Sequence, residues 1–209
     1  MGKRAAAEAA ALLVEDGMRV GLGTGTTVAH LLPALAARHL SIRCVATSPE
    51  TESRARALGL EVEAFSALER LDMAIDGADQ VDPAGWLVKG GGGAHTREKI
   101  VAAAADRFVV IVSEEKLVEA LSAPIPVELL SFGLRATLRH LGDARLRQRP
   151  LSPDGGLIAD WHGEVGDPAA LAGRLSAVPG VVDHGLFPPG MVETVIVGDG
   201  DGATRKVKF

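Results

Sequence analysis

The feature that most constrains the fold is a regular alternation, over residues 4–112, of short apolar runs with segments whose apolar residues recur at helical spacing. The apolar runs do not alternate strictly with polar residues, so both faces of each strand are expected to be buried. This pattern is typical of a mostly parallel sheet covered by helices. The predicted helices span 4–15, 27–35, 49–58 and 96–105, and the predicted strands span 18–23, 42–46, 61–65, 71–76 and 107–112.

The pattern changes near Pro124, where a different order of elements begins. The predicted elements there are strand 127–130, helix 133–141, strands 145–149 and 157–162, helix 168–178 and strand 181–187. This β-α-β-β-α-β order is the split βαβ of a ferredoxin-like domain. A strand over 194–199 and the tail at 207–209 are expected to return to the first sheet.

The sequence therefore predicts an α/β protein built from a Rossmann-like, mostly parallel sheet domain and a smaller ferredoxin-like α+β domain. The first domain is expected to comprise residues 1–124 and 194–209, and the second residues 125–193.

The composition excludes several classes of protein. A net charge of −5 provides no basic surplus to neutralise phosphates, which argues against nucleic acid as a partner. No run approaches the ~18 apolar residues of a membrane span, and the N-terminus, with Glu8 and Glu15, lacks the apolar core of a signal peptide. The single cysteine, Cys44, excludes an internal disulfide and suits a reducing compartment. We expect a cytoplasmic protein without nucleic-acid or membrane partners.

A turn rich in glycine and threonine, Gly21-Leu-Gly-Thr-Gly-Thr-Thr27, lies between a predicted strand and a predicted helix. Glycines let the backbone approach a ligand, and free N–H groups at a helix start attract an anion, so a phosphate is the natural ligand. A dinucleotide site would need an acidic residue after the next strand, which ends in Ala46-Thr-Ser48. No Walker A sequence is present. Alone, the turn is equally consistent with a tight connection between strand and helix.

Two aspartates directly follow the predicted strand 71–76, in the segment Asp76-Gly77-Ala78-Asp79. Ligands of open α/β sheets bind beyond the carboxyl ends of the strands, so both carboxylates are expected to face that crevice. Asp79 by itself is also consistent with a turn cap.

A third segment, Lys89–Lys99 with the sequence KGGGGAHTREK, joins four consecutive glycines to a predicted helix start with Thr96 as its N-cap. Four glycines in a row cost conformational entropy that a simple connector does not need. Their N–H groups and the Lys89 cation are suited to stabilising a developing oxyanion. Glu98 is consistent with a helix-dipole contact alone, but its neighbours favour a catalytic role. The basic residues on either side of it are equally consistent with solvated charges.

The remaining polar residues indicate neither a metal site nor a nucleophile. Five histidines lack metal-ligand spacing and are interpreted as structural, namely His30, His95, His140, His162 and His184. No Ser–His–Asp set is tied to a nucleophile elbow. Lys116 follows a strand and is suited to reach a phosphate, although a surface lysine is the simpler interpretation.

Several segments occur in the order and spacing of one known family: GLGTGTTVAHLL, ATS, DMAIDGADQVD, VKGGGGAHTREKI, PIPVELL, SPDGGLIAD and PGVVDHGLF. The sequence resembles the type A ribose-5-phosphate isomerases over essentially its whole length. The resemblance implies a Rossmann-like domain with a ferredoxin-like insert. It also implies an aldose–ketose isomerase of the non-oxidative pentose phosphate pathway, which interconverts D-ribose 5-phosphate and D-ribulose 5-phosphate through an enediol(ate). No metal or organic cofactor is implied, and a homodimer or homotetramer is expected.

The resemblance also implies roles for individual residues. Glu98 matches the base that moves a proton between C2 and C1, and Asp76 and Asp79 match aspartates that handle sugar hydroxyl protons. Lys89 matches the residue that, with the glycine loop, stabilises charge on the enediolate oxygens. The expected substrate-binding residues are Thr24, Gly25, Thr26, Thr27, Gly77, Ala78, Gly90, Gly91, Gly92 and Lys116. Lys3 has only a weak match to a phosphate-side lysine and is left unassigned.

The sequence departs from the family pattern at three points. Gln80 replaces the glutamate usual after DGAD, Thr26 stands where serine is common, and SPDGG at 152–156 replaces a DNGN-type turn. Thr26 keeps the hydroxyl group, and the turn lies in the second predicted domain. Gln80 removes a negative charge beside Asp79, so it is the departure expected to affect the rate.

Two other functions compete with this expectation. Other sugar-phosphate isomerases and CoA transferases share the glycine turn of this scaffold, but they lack the pairing of DGAD with Lys89 and Glu98. A non-catalytic sugar-phosphate sensor is expected to carry a basic helix-turn-helix, whereas this acidic sequence starts with the sheet domain.

Overall fold

The structure is a computed structural model that describes residues 1–148 and 151–209. In that part of the chain the α-helices are α1 (Gly2–Ala11), α2 (Val28–Ala36), α3 (Pro49–Ala57), α4 (His95–Ala103), α5 (Leu134–Leu141) and α6 (Pro168–Ser176). The β-strands are β1 (Arg19–Leu22), β2 (Arg43–Ala46), β3 (Glu61–Val62), β4 (Met73–Asp76), β5 (Gln80–Val81), β6 (Leu87–Val88), β7 (Phe108–Ser113), β8 (Ile125–Leu129), β9 (Ala144–Leu146), β10 (Leu157–Trp161), β11 (Val181–His184), β12 (Leu186–Phe187), β13 (Thr194–Gly198) and β14 (Thr204–Val207). Within these ranges no helix is long and apolar enough to cross a membrane.

The main sheet has seven strands in the order β14-β13-β7-β4-β1-β2-β3. All neighbouring strands are parallel except β13 and β14, which are antiparallel. On one face, α1 and α2 pack against Ile75, Val109 and Ile196. On the other face, α4 packs against Ala74 and Val110. The mostly parallel, doubly covered sheet is thereby confirmed, and so is the return of the strand predicted over 194–199. The last strand, β14, lies earlier than the predicted tail at 207–209 and shares only residue 207 with it.

A second, antiparallel sheet has the strand order β11-β8-β10-β9. With α5 and α6 between its strands, it has the arrangement of a ferredoxin-like fold. Its core includes Val127, Leu129, Trp161, Leu171 and Leu175. The fold class is therefore confirmed, while the domain boundaries at 124, 125, 193 and 194 stay a prediction.

The segment predicted as one strand over 181–187 is two strands that belong to different sheets. Gly185 separates them: its N–H donates to the Pro126 carbonyl at 2.7 Å, and its carbonyl accepts from the Lys89 N–H at 2.8 Å. A Cβ at Gly185 would lie 2.1 Å from the Lys89 carbonyl oxygen, so the crossing of the chain from the second sheet to the small sheet requires glycine here. β12 then pairs with β6, and β6 with β5, in a small antiparallel sheet beside Lys89. Strands of two residues are too short to show a periodic pattern, so this sheet was not predicted.

Three predicted elements end at least three residues earlier than expected. The first helix ends at Ala11 rather than 15, because the next residues turn with i→i+3 hydrogen bonds such as Val14 N–H to Ala11. Gly17, with φ of +81°, lies in the turn before β1 and not at the helix end. Strand 61–65 is limited to β3, followed by a 3₁₀ turn. Strand 145–149 ends at Leu146, and its last position, 149, lies outside the described residues.

Helix α1 packs against the end of β13 at a distance that only glycine allows. A Cβ on Gly198 would lie 2.0 Å from the Gly2 carbonyl oxygen, and a Cβ on Gly2 would lie 2.3 Å from the Gly198 carbonyl oxygen. The buried face of the helix consists largely of alanines, which keep the helix close to the sheet. Because α1 also carries Lys3, this packing determines where that side chain reaches.

Gly198→Ala is expected to lower the free energy of unfolding by about 1–3 kcal/mol, because the added methyl group must push α1 away from β13. Gly200→Ala is the matched control, since a Cβ there meets nothing within 4 Å. Urea unfolding of both variants measures the effect, and equal stabilities would contradict the close packing.

Candidate active site

The carboxyl ends of β1 and β4, which are neighbours in the main sheet, form the floor of a cleft. The Gly23 N–H donates to the Ile75 carbonyl at 3.0 Å, and a Cβ at Gly23 would lie 1.9 Å from the carboxyl carbon of Asp76. Oδ1 of Asp76 accepts hydrogen bonds from the N–H groups of Gly77 at 2.7 Å and Thr24 at 3.1 Å. The glycine turn and the DGAD segment therefore hold the Asp76 carboxylate between them.

The ammonium group of Lys89, which follows β6, lies between two carboxylates. Its Nζ is 2.8 Å from Oδ2 of Asp76 and 3.2 Å from Oε2 of Glu98, and it also donates to the Gly77 carbonyl. The three charged side chains are at most 5% exposed. Buried charges are costly unless they are paired, and here one ammonium group must compensate two carboxylates. The structure thus brings together three of the four residues predicted to be catalytic.

The pKa values of Glu98, Asp76 and Lys89 indicate which of these three groups exchanges a proton near neutral pH. Burial, followed by the charge of Asp76, raises the pKa of Glu98 to about 8 against the opposing effect of Lys89. Burial also raises the pKa of Asp76, opposed by Lys89 and two backbone N–H groups. For Lys89, burial acts to lower the pKa, but the charges of Asp76 and Glu98 outweigh it and raise the pKa. Lys89 stays a cation, and Glu98, with fewer hydrogen-bond donors than Asp76, is the carboxyl group that titrates near neutral pH.

The glycine loop, residues 90–93, closes the cleft on the side of Asp79. The Gly91 N–H donates to Oδ2 of Asp79 at 2.8 Å, and the Gly93 N–H donates to the Gly90 carbonyl at 3.0 Å. Gly90 has φ of +101°, and a Cβ there would lie 2.6 Å from Nδ1 of His95. Both the backbone angle and the space therefore require glycine at this position. Asp79, unlike Asp76, is only half-buried and borders the cleft.

The predicted substrate-binding residues all line this one cleft. The lining residues are Lys3, Thr24, Gly25, Thr26, Thr27, Gly77, Ala78, Asp79, Lys89, Gly90, Gly91, Gly92, Glu98 and Lys116. Lys3, left unassigned from the sequence, donates from its ammonium group to the Thr26 hydroxyl at 3.0 Å. Its position depends on how α1 packs on the sheet, which no local pattern shows. Thr47 does not line the cleft, but its hydroxyl is 2.8 Å from that of Thr24, which does.

Helix α4 is held to the second sheet by the residues that flank Glu98. The contacts join Thr96 to Glu128, Arg97 to Asp154 and Lys99 to Asp183. The Arg97 pair has two hydrogen bonds, of 2.8 and 2.6 Å, so its charge is not merely solvated. Thr96 is not the N-cap, because the helix begins at His95 and the Thr96 hydroxyl donates to Glu128. These contacts fix the rotation of the helix and therefore the direction of Glu98.

Comparison with known proteins gives the same family as the motifs. A family model described as ribose 5-phosphate isomerase A (phosphoriboisomerase A) matches residues 43–202. The chain belongs to this family. The ribose-5-phosphate isomerase A of Halobacterium salinarum is 47% identical over 215 residues, which cover 96% of this chain and 93% of the relative. The ribose-5-phosphate isomerase A of Rhodopseudomonas palustris is 44% identical over 220 residues, which cover 96% of this chain and 94% of that relative.

Solved structures of the same family superpose on the whole chain. Ribose 5-phosphate isomerase A of Methanocaldococcus jannaschii has a TM-score of 0.93 at 34% identity, covering 99% of this chain and 98% of that one. A D-ribose-5-phosphate isomerase in complex with phospho-erythronic acid has a TM-score of 0.92 at 32% identity, and the match covers 99% of this chain and 97% of that one. The resemblance inferred from the motifs is confirmed.

Gln80, the departure of this ribose 5-phosphate isomerase A family member from the usual DGADE, has its own hydrogen-bonding partner. Its amide oxygen accepts from the Ser122 N–H at 2.8 Å, and its amide nitrogen donates to the Ser122 carbonyl at 2.9 Å. A glutamate carboxylate would supply the acceptor but not the donor. Gln80 thus ties β5 to the segment before β8, which is a structural reason for an amide at this position.

The buried histidines of this family member are neutral. Burial lowers the pKa of His95 to about 4, and burial together with the charge of Lys99 lowers that of His184 to about 4. In residues 1–148 and 151–209, no group of three or more His, Cys, Asp or Glu side chains is arranged to hold a metal ion.

Glu98→Gln is expected to stabilise this protein relative to wild type at alkaline pH. The pKa of Glu98 is about 8 in the folded protein against an ordinary 4.5, so ionisation of Glu98 favours unfolding. Because folded Glu98 stays protonated while the unfolded group ionises, wild-type stability is lost progressively as the pH rises from 4.5 to about 8.

Thermal unfolding across this pH range should therefore show a difference in Tm between variant and wild type that increases with pH. The exposed Glu119→Gln is the control and should show no such increase. A difference that stays constant with pH would contradict the raised pKa.

Proposed function

We propose that this protein interconverts D-ribose 5-phosphate and D-ribulose 5-phosphate by moving a proton between C2 and C1 through an enediol(ate). The observation that carries the proposal is the buried Glu98, which shares the Lys89 cation with Asp76 and borders the cleft. Relatives that align with nearly the whole chain are named for this isomerase activity, which supports the same assignment.

Glu98 is the proposed base. In the aldose-to-ketose direction its carboxylate removes the proton from C2 while the C1 carbonyl oxygen gains negative charge, and the same proton then returns at C1. The O2 hydroxyl must lose a proton and O1 must gain one, and Asp79 is the proposed carrier because it borders the cleft beside the glycine loop. A pKa of about 8 suits a group that both accepts and returns a proton near neutral pH.

Lys89 and the glycine loop are the proposed stabilisers of the enediolate oxygens. Fixed cations and N–H dipoles act strongly on a charge that develops where water is excluded. The resemblance implies that Asp76, like Asp79, handles sugar hydroxyl protons. Because Asp76 is not among the residues that line the cleft, its proposed role is instead to hold Lys89 and to raise the pKa of Glu98.

The phosphate group is proposed to bind at the other end of the cleft. Lys3 and Lys116 provide ammonium groups there, and Thr26 and Thr27 precede α2, whose N-terminus favours an anion. The proposal is supported by the solved relative that is in complex with phospho-erythronic acid, itself a phosphorylated sugar acid.

We further propose that the reaction needs neither a metal nor an organic cofactor, since Glu98, Lys89 and Asp79 provide the base, the cation and the carrier of hydroxyl protons. We also propose a cytoplasmic homodimer or homotetramer that binds a small sugar phosphate and neither nucleic acid nor a membrane. Three apolar side chains near the edge strand β11 favour self-association: Leu130, Phe132 and Val182 are 54%, 92% and 45% exposed.

Purified protein is expected to convert ribose 5-phosphate to ribulose 5-phosphate at the same rate with and without EDTA. Glu98→Gln should lower kcat by about 10²–10⁴-fold while phospho-erythronic acid still binds, because only the proton transfer is lost. Glu119→Gln should keep the wild-type rate. Loss of turnover in EDTA would contradict the metal-free mechanism, and a near-normal kcat in Glu98→Gln would show that Glu98 is not the base.

Lys116→Ala is expected to raise KM by about tenfold with little change in kcat, because a contact to the phosphate acts equally in ground state and transition state. The exposed Lys208→Ala is the control for loss of one positive charge. A lower kcat at unchanged KM would count against the phosphate assignment.

A further inference from the structure

Arg147 follows β9, in the second sheet, and yet contacts the glycine loop of the cleft. Its Nη1 donates hydrogen bonds to the carbonyl oxygens of Gly90 at 3.1 Å and Gly91 at 3.0 Å. We propose that Arg147 is a positioning residue, which orients the Gly92 N–H of the glycine loop toward the reacting oxygens of the substrate. This inference rests on the proposed isomerase function.

The guanidinium group of Arg147 is itself held at several points. Its Nε and Nη2 donate to the two carboxylate oxygens of Asp160, on β10, at 2.8 and 2.6 Å. Its backbone N–H donates to the Ile158 carbonyl at 2.8 Å. The side chains of Arg147 and Asp160 are only 16% and 22% exposed. A planar guanidinium group paired in this two-point geometry has little freedom to rotate, so it is a rigid support for the loop.

The contact to two carbonyl oxygens determines where the neighbouring N–H groups point. In a trans peptide unit the C=O and the following N–H point in opposite directions. Holding the Gly90 carbonyl directs the Gly91 N–H to the opposite side, where Asp79 accepts it at 2.8 Å. Holding the Gly91 carbonyl likewise directs the Gly92 N–H away from Arg147. Gly92 lines the cleft, and its N–H has no acceptor among the described residues, so it is available to a substrate oxygen.

The loop needs this external support because it has no side chains of its own. Gly90 and Gly93 have φ of +101° and +77°, and peptide units between glycines rotate with little steric resistance. A rotated unit would turn a carbonyl oxygen toward the cleft, where its negative end would repel an enediolate. The positive charge of Arg147 is paired with the negative charge of Asp160. Arg147 is therefore expected to act on the cleft by orienting the peptide units of the glycine loop and not through the electric field of its charge.

Arg147→Met is expected to lower kcat by about 10- to 100-fold with KM within about threefold of wild type, because a donor displaced by an ångström loses most of its effect on the transition state. Affinity for phospho-erythronic acid, whose carboxylate carries negative charge as the enediolate does, should fall more than affinity for ribose 5-phosphate. A purely structural role of Arg147 would not change the ratio of these two affinities. The matched control is Arg145→Met, two positions away on β9 and exposed, which should keep the wild-type values.

Two further variants keep the test decisive if Arg147→Met folds poorly. Arg147→Lys keeps the charge and the stem but cannot hold two carbonyls and a carboxylate together, so its kcat should be lowered less, again without a matching rise in KM. Asp160→Asn should lower kcat through Arg147, and the double variant should be no slower than Arg147→Met alone.

The outcomes separate this inference from the proposed function. An active wild-type protein whose Arg147 variants keep kcat and the ratio of the two affinities would overturn the inference and leave the isomerase function intact. Losses in kcat that only follow the folded fraction would overturn it as well. A wild-type protein that does not turn over ribose 5-phosphate would contradict the proposed function, and the inference with it.

Discussion

One ammonium group shared by two buried carboxylates is the interaction on which the site depends. Asp76 comes from the end of a central strand, Lys89 from the small sheet and Glu98 from the first turn of α4, and they meet within 2.8 and 3.2 Å. The arrangement holds three separate segments together, yet it leaves one negative charge without its own cation. That imbalance is unfavourable for stability, and burial together with the charge of Asp76 raises the pKa of Glu98 into the range where a base can both take and return a proton.

The second sheet supports this centre from outside. Glu128, Asp154 and Asp183 hold the helix that carries Glu98, while Arg147 and Asp160 hold the glycine loop. Each of these contacts uses a charged side chain of the second sheet or its turns, so the second sheet orients the helix and the loop that contribute to the site. The KGGGGAHTREK segment lies between the two, and most of its side chains have a partner on one side or the other.

Much of the fold and of the candidate site could be predicted from the sequence, because long apolar runs and glycine-rich motifs are local patterns. The parallel sheet and the split βαβ order follow from these patterns, whereas the residues expected to line the cleft were implied by the resemblance to the family. Arg147 could not be found in this way, and Lys3 gave only a weak match, since each reaches the site from a segment distant in sequence. The division of 181–187 at Gly185 was missed for a similar reason: the crossing depends on contact with Lys89, which only the assembled sheets create.

The most direct test of this account is a ¹³C NMR titration of the glutamate carboxyl groups, in which the signal absent from Glu98→Gln identifies Glu98. The account predicts an apparent pKa of about 8 for that carboxyl group in the wild-type protein. An ordinary pKa near 4.5 would contradict it, because Glu98 would then not be the carboxyl group left without a full share of the Lys89 charge.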